Sequence, residues 1–270
     1  MGGLDRERAL PDDQRMSTTS AETQTIDLGT HKLRVRSSGA GERTFVCLHG
    51  LADTLAIWDE LAPRLEPLGR VVRFDQRAHG DSTGPRGACS RDDLAADLIA
   101  LMDRLAIARA VWIGHSLGGV VALTAALAAP ARTAGLVLLG TASECNERAA
   151  RWYRDIVRAG EVNALEGLAR AIYGPTSRNE VEGWAPGITE VARSLISLHE
   201  DPLTPRLGTI SAPARVLVGE RDPMGTAAAE ILRKGIPGAT LQVVPGKGHW
   251  LQTEAPEAVA DAAASLNAPG

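Results

Sequence analysis

One pentapeptide constrains this chain more than any other stretch. Gly114-His115-Ser116-Leu117-Gly118 fits the pattern G-x-S-x-G, in which a strand turns so sharply into a helix that its central residue is held in a strained backbone conformation. Read alone, the pattern also describes a Ser-Gly loop capping a helix. The flanks decide between the two. Ala110-Val111-Trp112-Ile113 has the β-branched and aromatic character of a buried parallel strand, and the small and aliphatic residues from Gly119 to Leu123 suit a buried helix. Side chains at positions 114 or 118 would collide with neighbouring backbone, so glycine there lifts Ser116 clear of the sheet. The same turn puts the Leu117 amide at a helix N-terminus, where it can donate to a developing oxyanion.

The remaining chain alternates strands and helices. Thr25 to Arg36 alternates apolar and polar residues about Gly29-Thr30, the pattern of a hairpin. His31 at its turn is expected to be solvated rather than catalytic. Phe45-Val46-Cys47-Leu48 is a short buried strand, followed by the loop His49-Gly50-Leu51-Ala52-Asp53 and a helix expected from Thr54 to Glu66. The Leu51 amide is the candidate second oxyanion donor. Arg70 to Phe74 is the next strand. The polar loop Asp75 to Ser82 after it is expected to satisfy its own hydrogen bonds. A helix spans Arg91 to Leu105, with Leu94, Leu98, Leu101 and Leu105 on one face, and another strand lies at Gly135 to Gly140.

This repetition predicts an α/β fold, an open and mostly parallel sheet with helices on both faces. From 141 to 211 the apolar strand pattern gives way to arginine-rich helical segments, expected to form a helical cap over the carboxyl ends of the strands. The sheet resumes at Pro213 to Gly219. A helix to about Lys234, a strand at Ala239 to Val244 and a final helix from Leu251 to Leu266 follow. The expected organisation is a disordered tail over 1–24, a core over 25–140 and 212–270, and the cap between. Trp152, Tyr153, Trp184 and Trp250 are candidate walls of a substrate pocket, although aromatics in a cap equally glue it to the body.

With 270 residues, 44% apolar content and a formal charge of −4, the chain has material for one substantial core and no basic face for a nucleic acid. No apolar run approaches the roughly 20 residues that span a bilayer, and the charged opening has no hydrophobic signal core. Cys47, Cys89 and Cys145 show neither metal-ligand spacing nor an even count, so reduced thiols and a cytoplasmic location are expected. Neither a membrane nor a nucleic acid is an expected partner, and oligomeric state stays open.

Three loops at the carboxyl ends of three strands carry Ser116, Asp222 and His249. A serine hydroxyl needs an imidazole to take its proton, and the imidazole needs a carboxylate to fix its tautomer. Asp222 precedes Pro223, which ends its strand at this loop. Glu220 and Glu144 are the fallback acids. Among the other histidines, His115 adjoins the serine and should point elsewhere, His49 and His79 sit in turn-like contexts, and His199 lies in the cap.

From Ile26 to Leu266 the sequence resembles an α/β-hydrolase fold enzyme, with the family's order of nucleophile, acid and histidine. The resemblance implies Ser116 as nucleophile, Asp222 as acid, His249 as base, and Leu51 and Leu117 as backbone donors of an oxyanion hole. Asp75 to Ser82 resembles the family's D-x-R-G-H-G-x-S loop, except that Ala78 stands where glycine is usual. Within the fold, the chain is similar to small carboxylesterases, enol-lactonases and cofactor-free haloperoxidases. The implied activity is hydrolysis of a small carboxylic ester or lactone through an acyl-enzyme, with no metal or organic cofactor. The alternatives are a carbon-carbon bond hydrolase of a dienoate-like diketone and a ligand receptor with little turnover.

Overall fold

The structure, a computed structural model, describes residues 22–84, 89–162 and 188–266. Eight strands form one sheet: β1 (Glu22–Asp27), β2 (Lys32–Ser38), β3 (Thr44–Leu48), β4 (Arg70–Phe74), β5 (Ala110–His115), β6 (Thr133–Leu139), β7 (Ala214–Gly219) and β8 (Thr240–Val244). They lie in the order β1-β2-β4-β3-β5-β6-β7-β8. β1 and β2 pair antiparallel, as does β2 with β4, and every other pairing is parallel.

Two-residue alternation in the central strands builds a core on each face. On β5, Val111 and Ile113 pack into one apolar cluster with Val137 and Leu139 of β6. Ala110 and Trp112 enter the opposite cluster with Leu136 and Leu138. A strand buried on both faces has no polar side, hence the continuous apolar runs in the sequence. Each fully buried Leu, Ile or Val in them contributes about 1.5–3 kcal/mol relative to exposure.

Helices cover both faces: α1 (Ala62–Leu65), α2 (Arg91–Arg104), α3 (Leu117–Ala128), α4 (Glu147–Glu161), α5 (Ile188–Glu200), α6 (Thr226–Gly235), α7 (Leu251–Glu254) and α8 (Pro256–Ala264). Ser90 starts α2 with a capping box, its hydroxyl and the Asp93 carboxylate each bonding the other residue's amide. α4 and α5 pack against each other, and Tyr153, Ile156, Val157, Val191, Leu195 and Leu198 join the larger core cluster. No helix among the described residues is long and apolar enough to cross a membrane. The three cysteines are free.

Four expectations need correction. Strand β1 begins at Glu22, so residues 22–24 of the expected tail pair with Ser37, Arg36 and Val35; their side chains are largely solvent-facing, and backbone pairing of that kind leaves no apolar alternation to read. The single helix expected from Thr54 to Glu66 is a 3-10 turn at Leu55–Trp58, the short α1 and a second 3-10 turn at Glu66–Leu68, because Pro63 and Pro67 lack the amide protons a continuous helix needs. The final helix is likewise divided at Ala255, held at φ −150° and ψ 55° before Pro256. His31 is buried at 5% exposure rather than solvated, with Nε2 3.1 Å from the Asp97 carboxylate, which also holds Arg77 in a two-pronged ion pair.

Strand order reverses between β3 and β5. The chain runs from β3 outward to β4, returns over β3, and continues through β5 in the opposite direction. Loops leaving β3 and β5 therefore diverge at the carboxyl edge and open a crevice, the place where ligands bind in sheets of this kind.

Candidate active site

Ser116 stands in that crevice at φ 50° and ψ −114°, without a side-chain helix cap. A non-glycine residue in this region is strained, and hydrogen bonds on both sides pin it. Its N–H donates to Leu139 O at 2.9 Å, and its carbonyl accepts from Gly119 and Val120 N–H and from the Thr141 hydroxyl at 2.7 Å. The glycines leave the space the turn needs. A Cβ on Gly114 would come 2.5 Å from Gly118 O, and one on Gly118 would come 2.0 Å from Leu48 O.

His249 and Asp222 come from the loops after β8 and β7 and meet with Nδ1 2.9 Å from Oδ2. The Asp222 side chain is fully buried, and its other oxygen accepts from Met224 N–H at 2.8 Å. A carboxylate accepts and does not donate, so the His249 proton lies on Nδ1 and Nε2 is left as a base. Glu220, one fallback acid, instead accepts from Gly246 N–H. The other, Glu144, lines the cavity.

Ser116 and His249 both line a cavity of about 610 Å³ whose wall also includes Leu51, Leu117, Trp152, Tyr153 and Trp250. Among the described residues, no acceptor is placed for the Leu51 or the Leu117 N–H. Trp250 meets the His249 ring edge to face, 5.2 Å between centroids. Trp152 is 42% exposed and Tyr153 is buried. Trp184 lies outside the described residues.

The buried His115 ring lies 4.7 Å from that of His249, with its Nε2 3.1 Å from the His249 carbonyl and its Nδ1 3.5 Å from the Asp53 carboxylate. Burial lowers its pKa.

The loop after β4 is tied into a hydrogen-bond network, as its composition predicts, although His79 Nε2 is buried without a hydrogen-bond partner among the described residues. Asp75 accepts from the Leu55 and Asp81 amides, the Ser82 hydroxyl donates to Asp75 O, and Gln76 N–H donates to His49 Nε2 at 2.9 Å. His49 Nδ1 then donates to Gly50 O, so a single neutral tautomer meets both partners. Burial lowers His49 to about 4 and His79 to about 3. Ala78 keeps a left-handed backbone at φ 61° without the glycine that would adopt it freely.

One residue at the site carried no signal in the sequence beyond ending a strand. Gly140 follows β6 at φ 49°, and a Cβ on it would lie 2.8 Å from Asp222 Oδ2 and 2.9 Å from His249 Nδ1.

The chain has relatives among known proteins. The model of the "Alpha/beta hydrolase family" matches residues 45–262. The dihydrolipoyllysine-residue acetyltransferase component of the acetoin cleaving system of Pseudomonas putida is 31% identical over 249 residues, 87% of this chain and 66% of that protein. A putative carbamate hydrolase, RutD, of Variovorax paradoxus is 30% identical over 243 residues, 82% of this chain and 91% of that protein. The crystal structure of a hydrolase from Pseudomonas aeruginosa PA01 superposes with a TM-score of 0.76 at 26% identity, covering 92% of this chain and 98% of that one.

Proposed function

The chain belongs to the alpha/beta hydrolase family, and on that premise we propose that it is a serine hydrolase cleaving a small carboxylic ester or lactone through an acyl-enzyme. The observation that carries the reading is the buried Asp222 carboxylate 2.9 Å from His249 Nδ1, on a cavity that also contains Ser116. His249 Nε2 takes the Ser116 proton as the hydroxyl oxygen attacks the substrate carbonyl, and Asp222 stabilises the imidazolium that forms. The Leu51 and Leu117 amides, having no acceptor among the described residues, hold the negative oxygen of the tetrahedral intermediate. His249 protonates the departing alcohol, then activates the water that releases the acid.

The helices α4 and α5 serve as the cap, with Trp152 and Tyr153 facing the acyl group. The relative from V. paradoxus is named for hydrolysis of a carbamate, a carbonyl substrate open to the same serine attack. No metal or organic cofactor enters this chemistry.

The test is hydrolysis of p-nitrophenyl acetate and butyrate together with labelling by a fluorophosphonate. Turnover and labelling should both be lost in Ser116→Ala, with its melting temperature retained. A Ser116→Ala protein labelled at the wild-type rate would remove Ser116 as nucleophile, and a wild-type protein that binds these esters without turning them over would favour a receptor.

A further inference from the structure

The main chain around His249 is held by a side chain that the proposed chemistry does not use. His249 follows Gly246-Lys247-Gly248, and two glycines in so short a run give the backbone more freedom than other residues would. The Asp222 carboxylate fixes the imidazole ring but not the peptide that carries it. Glu254, half-buried at the end of α7, turns its carboxylate back over the loop. One oxygen accepts from Gly248 N–H at 2.7 Å and the other from Trp250 N–H at 3.1 Å. A single carboxylate thus grips the amides on either side of His249, in hydrogen bonds that its charge strengthens. The His249 carbonyl itself meets His115 Nε2 at 3.1 Å.

The local fold explains the reach. α7 is a single turn in which Glu254 N–H donates to Trp250 O at 2.9 Å, and this stacks residue 254 over residue 250. A Cβ on residue 248 would lie 2.9 Å from Glu254 Oε1, so glycine there makes room for the carboxylate. A side chain that only capped α7 would need the amide of the cap residue, Trp250, and no other. The second bond goes to Gly248, which precedes His249 and lies outside the helix. We infer that Glu254 is a positioning residue: by bridging the Gly248 and Trp250 amides it fixes the backbone of His249, so that the imidazole keeps its place against Asp222 on the cavity wall. A displacement of about 1 Å in such a group costs about 10²-fold in rate.

The inference deepens the hydrolase reading and rests on it for one of its two tests. Glu254→Gln keeps the size of the side chain but replaces one acceptor oxygen with an NH2 donor, so it can hold one of the two amides and not both. In the first test, kcat for p-nitrophenyl butyrate is measured on the full chain and counted per site labelled to completion by a fluorophosphonate, which removes any misfolded fraction. It should fall about tenfold or more in Glu254→Gln, with KM within about twofold of wild type. Glu257→Gln is the control: it removes a carboxylate bound to Arg64 on the exposed surface of α8 and should turn over as wild type does. In the second test, the proton spectrum of the resting protein is compared between wild type and variant. The downfield resonance of the His249 Nδ1 proton, identified by its loss in His249→Gln, should broaden or move upfield in Glu254→Gln. A resonance altered in this way, in a protein whose wild type hydrolyses no ester, would keep the positioning role and overturn the hydrolase reading. A lowered melting temperature in Glu254→Gln, with kcat per labelled site and the Nδ1 resonance both at wild-type values, would overturn the positioning role and leave Glu254 as a helix cap.

Discussion

Gly140 and His249 approach so closely that a Cβ on the glycine would lie 2.9 Å from the imidazole Nδ1, and the same atom would come 2.8 Å from Asp222 Oδ2. The end of β6 is thus a floor for the His-Asp pair, and only a residue without a side chain, at φ 49°, leaves that pair its place. Gly140→Ala should cost about 1–2 kcal/mol in folding from the left-handed backbone and, by displacing the imidazole, about 10²-fold in kcat. Urea unfolding and ester turnover measure the two effects separately. Wild-type kcat in the variant would mean that the pair's position does not matter to the chemistry.

Asp222→Asn keeps the size of the side chain but presents either a donor or a neutral acceptor to His249 Nδ1. The imidazole then loses the charge that stabilises its protonated form, and kcat should fall by on the order of 10⁴. Ser116→Ala and the double variant should be about equally inactive, because these groups act as a unit. A small effect of Asp222→Asn accompanied by a large one of Glu144→Gln would move the acid role to Glu144.

How much of this was legible follows from the reach of each signal. Ser116, Asp222 and His249 stand out because each follows an apolar strand run in a polar or glycine-rich loop, and strand ends of a parallel sheet converge by topology. The role of Gly140 rests on two side chains from distant strands, and no local pattern encodes that contact. His31 was misread for the same reason: its partner Asp97 is 66 residues away on α2, while the local sequence shows only a hairpin turn. The broken helices at Pro63 and Pro256 were within reach of the sequence, since proline in a helical pattern is itself the signal. The pairing of Asp53 with His115, Oδ2 to Nδ1 at 3.5 Å, was not, because it joins residues 62 positions apart, one in the loop after β3 and one at the end of β5.

Stability should fall on acidification before the surface carboxylates titrate. His49 and His79 are neutral in the fold, lowered by burial to about 4 and about 3, against about 6.5 in an unfolded chain. Their folded pKa values lie below the unfolded ones, so the native state binds fewer protons between them. The contribution is full above about pH 6.5 and is lost as pH falls toward 4, at on the order of 1.4 kcal/mol per pH unit for each ring. Urea midpoints at pH 7.5, 6 and 5 should therefore decline, and His79→Gln, less stable at pH 7.5, should decline less steeply. Equal slopes in the two proteins would remove His79 as a cause.

Trp152 tests whether the roof of the cavity selects substrate. It projects from α4 into the cavity wall while remaining 42% exposed, and it meets the buried Tyr153 ring edge to face at 5.0 Å between centroids. A side chain so exposed contributes less to packing than Tyr153 does, so its truncation should reshape the pocket more than it loosens the fold. Ser116 and His249 are mounted on the sheet and keep their geometry when it is removed. Trp152→Ala should accordingly change relative kcat/KM among acetate, butyrate and hexanoate esters, each methylene being worth roughly 1–3 kcal/mol in an apolar pocket, while acetate turnover moves little. A uniform fall for all three esters, with their order kept, would mean that Trp152 holds α4 in place and takes no part in choosing the acyl chain.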